Sequence, residues 1–106
     1  MPYSAYHQIG GPTGFLSQLV PFNGNSMWAT RHKPSGEYRV YSYRTLMGYY
    51  DPVDNTLYLN TAHYSITTTY HQNLIAAWTN EPHTGPVVDC QGEAALFRAM
   101  RTLATA

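Results

Sequence analysis

Between Tyr64 and Asn73 the chain reads YSITTTYHQN, a run of hydroxyl, imidazole and amide side chains with little apolar between them. Groups of this kind can do chemistry in two ways. A histidine near a phosphate-binding group can move protons, and His63 with His71 and an arginine would suit a small metal-free hydrolase or nuclease. Alternatively, Thr hydroxyls and a histidine in the first turn of a helix meet unpaired N–H groups and the positive end of the dipole. That setting favours a phosphate or carboxylate. A plainer role competes with both, because a helix leaves its first N–H groups unpaired and a Thr at the N-cap accepts from one of them. Thr69 with Gln72 three residues later matches a capping box. Most of the stretch is therefore expected to be a strand-to-helix junction, with His71 and Gln72 the members best placed to touch a ligand.

The other chemical residues form weaker patterns. The five histidines are His7, His32, His63, His71 and His83, and none shares the helical spacing that presents two imidazoles to one metal. Neither a metal nor any other cofactor is expected. Cys90 is the single cysteine, so an intramolecular disulfide and a cysteine zinc cage are excluded. Its neighbour Asp89 suits a helix cap better than a catalytic acid. Paired carboxylates, a phosphate-cradling glycine loop and a nucleophile elbow are all missing. Binding is favoured over catalysis.

The elements that would position these groups follow from periodicity and turn residues. Residues 1–25 carry two clusters of turn residues around the short apolar run FLSQLV and are expected to form an irregular arm, or one or two helical turns. From Ser26 the runs SMWATR, EYRVYSY, TLMGYY and TLYLN read as four strands. They are separated by turns at Pro34–Gly36 and Asp51–Asn55. Tyr64 and Ile66 are expected on a shared inward strand face. A helix is expected at about 69–79, with Leu74, Ile75 and Trp78 on one stripe and Pro82 beyond its end. A second helix is expected from about Asp89 to Leu103, with Leu96, Phe97, Met100, Leu103 and Ala104 apolar. The fold class is α+β, an antiparallel meander of about four strands packed by two helices, with 26–106 as one small domain. At 106 residues such a chain buries roughly two thirds of its unfolded surface.

Composition indicates how the surface is built. Charged residues make up only 11 %, while ten tyrosines stand against three phenylalanines. Polar surface must then come from Tyr, Thr, Ser, Asn, Gln and His. Arg31, Lys33, Arg39 and Arg44 fall in one stretch whose only acid is Glu37. Alternation along the second strand puts Tyr38, Val40 and Ser42 on one side and Arg39, Tyr41 and Tyr43 on the other. With Arg31 and Tyr58 added from neighbouring strands, that second side is the best binding surface. Tyr rings stack on bases or a partner's aromatics, and Arg pairs with phosphate or carboxylate. If both helices cover the first side, this face is open. Zero net charge argues against tight binding to long nucleic acid or acidic membranes, and removes one barrier to a homodimer. The start of the chain lacks the basic and apolar pattern of a secretory signal, and no segment is apolar enough to span a bilayer.

The pattern VYSYRTLMGYYDPVDNTLYLNTAHYSITTTYHQ resembles a family of small uncharacterised proteins encoded mainly by actinobacterial phages and prophages. The matching motifs are Tyr41 to Tyr43 with Thr45, Tyr50 with Asp51, Leu57 to Asn60, and Tyr64 to Gln72. Gly24 to Ala29 resembles the family's upstream Gly-Asn-Ser segment. The likeness covers about half the chain and carries no assigned activity. It implies a phage genome as source, the host cytoplasm as setting, and host takeover or counter-defence as context. The expected function is binding of a host protein or small anionic ligand through Arg39, Tyr41, Tyr43, Tyr58, Thr69, His71 and Gln72. A nucleic-acid-binding module on the Tyr/Arg face and a histidine hydrolase are the alternatives.

Overall fold

The computed structural model describes residues 15–24, 26–32, 35–80 and 85–105, with the backbone alone at 17, 76–80 and 101–105. In chain order the elements are α1 (Phe15–Gln18), β1 (Phe22–Asn23), β2 (Met27–Arg31), β3 (Tyr38–Ser42), β4 (Thr45–Asp51), β5 (Thr56–Asn60), α2 (Ile66–Asn80), β6 (Val87–Cys90) and α3 (Glu93–Thr105). The fold is α+β. Among the described residues the sheet has six strands in sequence order, antiparallel except for the parallel pair β5–β6. The expected four-stranded meander is β2 to β5. The arm at 1–25 supplies, within its described part, a helical turn and an edge strand. The expectation for residues 1–14, and those for His7, Lys33, Pro34, Pro82 and His83 and the side chains of Trp78, Leu103 and Ala104, lie outside the description.

Turn chemistry accounts for the hairpins. Gly36 has φ of 81° at the β2–β3 turn, which His32 closes by donating its N–H to the Glu37 carbonyl. Asp51 opens the β4–β5 turn by accepting the Val53 N–H at 3.0 Å, and Asn55 closes it with φ of 53°. The β3–β4 turn puts Tyr43 at φ of 55°, a backbone region uncommon for a bulky side chain. Strand β3 therefore ends at Ser42, and Tyr43 does not continue the row of Arg39 and Tyr41.

The two helices lie on opposite faces of the sheet, not on one. On the first face Met27, Ala29, Tyr38, Val40, Met47 and Leu57 pack with Leu16 of α1 and Ile75 of α2. A bulge between Val40 and Tyr41 against β4 helps bring Met47 to this face, and Gly48 forms a flat seat for Ile75. On the second face Leu46, Tyr49, Tyr58 and Cys90 pack under Leu96 of α3, with Ala95, Ala99 and Met100 beside it. Phe97, expected among the buried residues, is exposed.

Helix boundaries differ from the expected ones for physical reasons. The cap of α2 is Ser65, four residues before Thr69, with its Oγ accepting the Thr68 N–H at 3.2 Å. Tyr64 and Ile66 therefore belong to no strand, and Ile66 is 91 % exposed. Asp89 is not a helix cap but part of β6, and α3 starts at Glu93. There the Glu93 carboxylate accepts the Leu46 N–H at 2.9 Å.

Asn60, at the end of β5, joins four segments. Its Nδ2 donates to the Leu46 carbonyl and the Tyr64 hydroxyl, both at 3.0 Å. Its Oδ1 accepts the N–H groups of Ala62 at 3.1 Å and Gly92 at 3.2 Å. Removing this amide takes a partner from the buried Leu46 carbonyl and from the part-buried Ala62 N–H, while the Gly92 N–H keeps the Cys90 carbonyl. Asn60→Ala is expected to lower stability in urea unfolding by about 2–4 kcal/mol, whereas Ile66→Ser should stay within about 0.5 kcal/mol. A loss below about 1 kcal/mol at Asn60 would mean that water replaces these bonds without cost.

Candidate functional site

The second sheet face is only half covered. Alternation and register set Tyr58, Tyr49, Arg39 and Thr30 in one row across the sheet, with Leu46, Tyr41 and Trp28 in the next. Helix α3 covers Leu46, Tyr49 and Tyr58, and Tyr41 packs partly buried against this cluster. Tyr58 is thus on the expected face but only 9 % exposed, and is a core residue. Arg31 alternates onto the opposite face, beside Tyr38. Trp28, absent from the sequence-based site, lies directly across from Tyr41. Counting back from the Gly36 hairpin would have found it, since the turn sets the register.

What remains is a partly exposed aromatic and cationic surface. Trp28 and Tyr41 stack nearly parallel, with ring centroids 3.9 Å apart and planes 6° apart. The indole N–H of Trp28 donates to the Tyr43 carbonyl at 2.7 Å, so this polar end is satisfied and the ring is held in place. Tyr43 itself is exposed beside the pair. Arg39 lies half-exposed above the Tyr49 ring, 5.9 Å from its centroid. Its Nη2 reaches the Glu37 carboxylate at 3.4 Å, a long contact, and its enclosed Nε has no partner among the described residues. Burial raises the Tyr49 hydroxyl well above its ordinary pKa, and the nearby Glu37 carboxylate raises it further. Tyr49 stays neutral, and the positive charge of the site belongs to Arg39.

The junction residues Thr69, His71 and Gln72 turn inward. The Thr69 hydroxyl donates to the Ser65 carbonyl at 2.9 Å. Gln72 Nε2 donates to the carbonyls of Asn60 at 2.8 Å and Ala62 at 2.9 Å. His71 is fully buried, with Nδ1 2.6 Å from Ser42 Oγ and Nε2 3.3 Å from Ser26 Oγ. Because α2 begins at Ile66, these three residues lie past the turn with unpaired N–H groups. The anion site expected there is not formed by their side chains.

The Ser42–His71 separation is that of a nucleophile and its base, which keeps the hydrolase reading in view. Both side chains are sealed from solvent, and His63 is exposed. The geometry is better read as a structural chain. Ser65 donates to Thr68 Oγ1 at 3.1 Å, Thr68 lies 3.2 Å from Ser42, and Ser42 is next to His71. One neutral tautomer, with its proton on Nε2, satisfies every member in a single direction.

Among the described residues no three His, Cys, Asp or Glu side chains gather as a metal site. No described helix is long and apolar enough to cross a membrane. No protein-family model, curated protein or solved structure matches the chain. The site is therefore read from its own geometry.

Two expected outcomes follow from burial. Burial lowers the His71 pKa below the ordinary 6.5, so the unfolded chain takes up this proton first as pH falls. The His71 contribution is flat above pH 6.5, and stability is lost below it until the native imidazole itself protonates. Urea midpoints at about pH 7.5 and about pH 5.5 should fall more for wild type than for His71→Gln. Equal falls would show that His71 does not carry the effect. Burial, and secondly the Asp89 charge, raise the Cys90 thiol, which should react with a disulfide reagent at least about tenfold faster once unfolded.

Proposed function

We propose that the chain is a phage-encoded accessory protein that binds a host protein in the host cytoplasm and does not catalyse a reaction. The observation that supports this reading is the Trp28–Tyr41 stack beside Arg39, partly exposed on a half-covered sheet face. Trp, Tyr and Arg are the residue types that supply most of the binding energy at protein interfaces. They bring large, rigid contact area at little entropic cost. Here the rings are already fixed by stacking and by the Trp28 N–H bond, so little ordering remains to be done on binding. The phage setting, with host takeover or counter-defence as its context, rests on the resemblance of residues 24 to 73.

Single-stranded nucleic acid would use the same rings, but zero net charge and the Glu37 carboxylate at Arg39 weaken backbone attraction. A small anion would meet the same acid. A protein surface tolerates both.

The test compares wild type with Tyr41→Ala and Arg39→Ala in affinity capture from host lysate, after nuclease treatment. Both variants should keep the wild-type circular dichroism spectrum. The identified protein should then be titrated in purified form. Each substitution is expected to weaken its binding by roughly thirtyfold, the loss of about 2 kcal/mol typical of an interface anchor. Val53→Ser, on the distant β4–β5 turn, should bind as wild type does. Capture that both variants retain would move the site off this face. Capture abolished by nuclease, with binding that falls steeply in salt, would favour nucleic acid instead.

A further inference from the structure

The last strand of the sheet has an open outer edge. Strand β6 pairs only with β5 among the described residues, and its first three residues are exposed on both faces. Val87, on the α2 side, is 42 % exposed, and Val88, on the α3 side, is 39 % exposed. The strand is nevertheless firmly held along its inner side. The Pro86 carbonyl accepts from Leu57 N–H at 3.0 Å where β6 begins, and the Cys90 carbonyl accepts from Thr61 N–H at 2.8 Å where it ends. Gly85 packs so closely on the Asn55 backbone that a Cβ there would collide with it.

Those two bonds also fix which backbone groups face outward. In a parallel ladder a residue directs its N–H and C=O to the same side, and consecutive residues alternate. With the Pro86 and Cys90 carbonyls directed inward, Val88 is directed inward as well. Val87 and Asp89 then present their N–H and C=O groups along the outer edge. An edge of this kind is a template for another strand. Its guards are its short length and the charge of Asp89, and it has neither a lysine, nor a bulge, nor an internal proline.

We propose that β6 is the interface of a homodimer, pairing antiparallel with β6 of a second copy about a two-fold axis at Val88. The outward phase, the charge and the limits of the strand together select this register, since an axis at Val87 would set Asp89 against Gly85, which lies outside β6 and is packed on Asn55. With the axis at Val88, each Val87 lies opposite Asp89 of the second copy. Both such pairs exchange their N–H and C=O groups, giving about four inter-strand hydrogen bonds. Val88 meets its own mate as a non-hydrogen-bonded pair, the arrangement that brings side chains closest. An axis at Asp89 would set two carboxylates against each other, which is destabilising. Two chains of zero net charge meet without long-range repulsion. The Trp28–Tyr41 surface, on strands at the far side of the sheet, takes no part.

Sedimentation velocity across micromolar to near-millimolar concentrations is the direct test. Wild type should pass from the mass of one chain to the mass of two. Val88→Lys sets like charges on the axis, and Val87→Pro removes an outward N–H that the monomer does not use. Each should raise the dimer dissociation constant by roughly tenfold or more with an unchanged circular dichroism spectrum. Tyr41→Ala should dimerise as wild type does, which separates this result from the fate of the partner surface. The register has its own readout in a Cys90→Ser background. There Val88→Cys should cross-link to itself on mild oxidation, since a non-hydrogen-bonded antiparallel pair lies within disulfide reach, and Val87→Cys should not. A wild type that keeps the mass of one chain throughout, or edge variants that dimerise unchanged, would overturn the proposal. Failure of Val88→Cys to cross-link would overturn the register.

Discussion

The Asn60 side-chain amide is the contact on which the arrangement of the helices depends. A parallel partner for β5 requires a crossover, and the crossover must commit to one face of the sheet. At the end of β5 the Asn60 oxygen accepts from Ala62, on the way into α2, and from Gly92, on the way into α3. Its nitrogen holds the start of β4 through the Leu46 carbonyl. One side chain thus fixes both departures relative to the strand they leave. An aspartate could accept the same two N–H groups but could not donate to Leu46 or Tyr64, so both amide ends are needed.

Placing α2 and α3 on opposite faces has a geometric consequence. A helix is roughly 10 Å across with its side chains, and strands repeat at about 4.8 Å, so one helix covers about two strands. The first face receives α2 and the α1 turn, which together enclose residues from β2 to β5. The second face receives α3 alone. This helix covers Leu46, Tyr49, Tyr58 and Cys90, while Trp28, Tyr41 and Arg39 at the margin are only partly buried. The partly exposed margin is therefore a direct result of strand number exceeding helix cover, and the Val87–Val88 edge is likewise exposed.

That geometry separates what could be read in the sequence from what could not. Strands β2 to β5 were legible because each is long enough to show a period of two and is bounded by turn residues such as Gly36 and Asn55. Strand β6 has four residues after a proline, too few for a period. Its strand character comes from pairing with β5, which no local signal carries. Local sequence does not single out the cap of α2, because Ser65, Thr67, Thr68 and Thr69 are all competent caps. The choice of Ser65 is made by Asn60 and Gln72, which anchor the turn that precedes it. Arg39 and Tyr41 were legible as outward neighbours from alternation alone. The burial of Tyr58 was not, since it requires knowing that α3 crosses to the other side. The burial of His71 is hidden for a related reason, because Ser42 and Ser26 reach it from positions far away in sequence.

Tyrosine does different work in different parts of this chain, and that division fits a protein with few charges. Tyr38 is buried with its hydroxyl on the Val20 carbonyl at 2.8 Å, and burial raises its pKa, as it does for Tyr49 and Tyr58. These residues fill the core without adding an unpaired polar group. Tyr41 and Tyr43 instead supply surface that is neither charged nor simply apolar, and so can be exposed without inviting aggregation. A dimer through β6 would give this surface added weight. Its two-fold axis would run normal to the sheet at the β6 seam, and the twist of the sheet would carry the two Trp28–Tyr41 faces away from that axis in opposite senses. Two modest sites on one rigid double-width sheet bind a two-fold or repeated partner far more tightly than either site alone. A small chain of zero net charge would in this way gain affinity without a large electrostatic field.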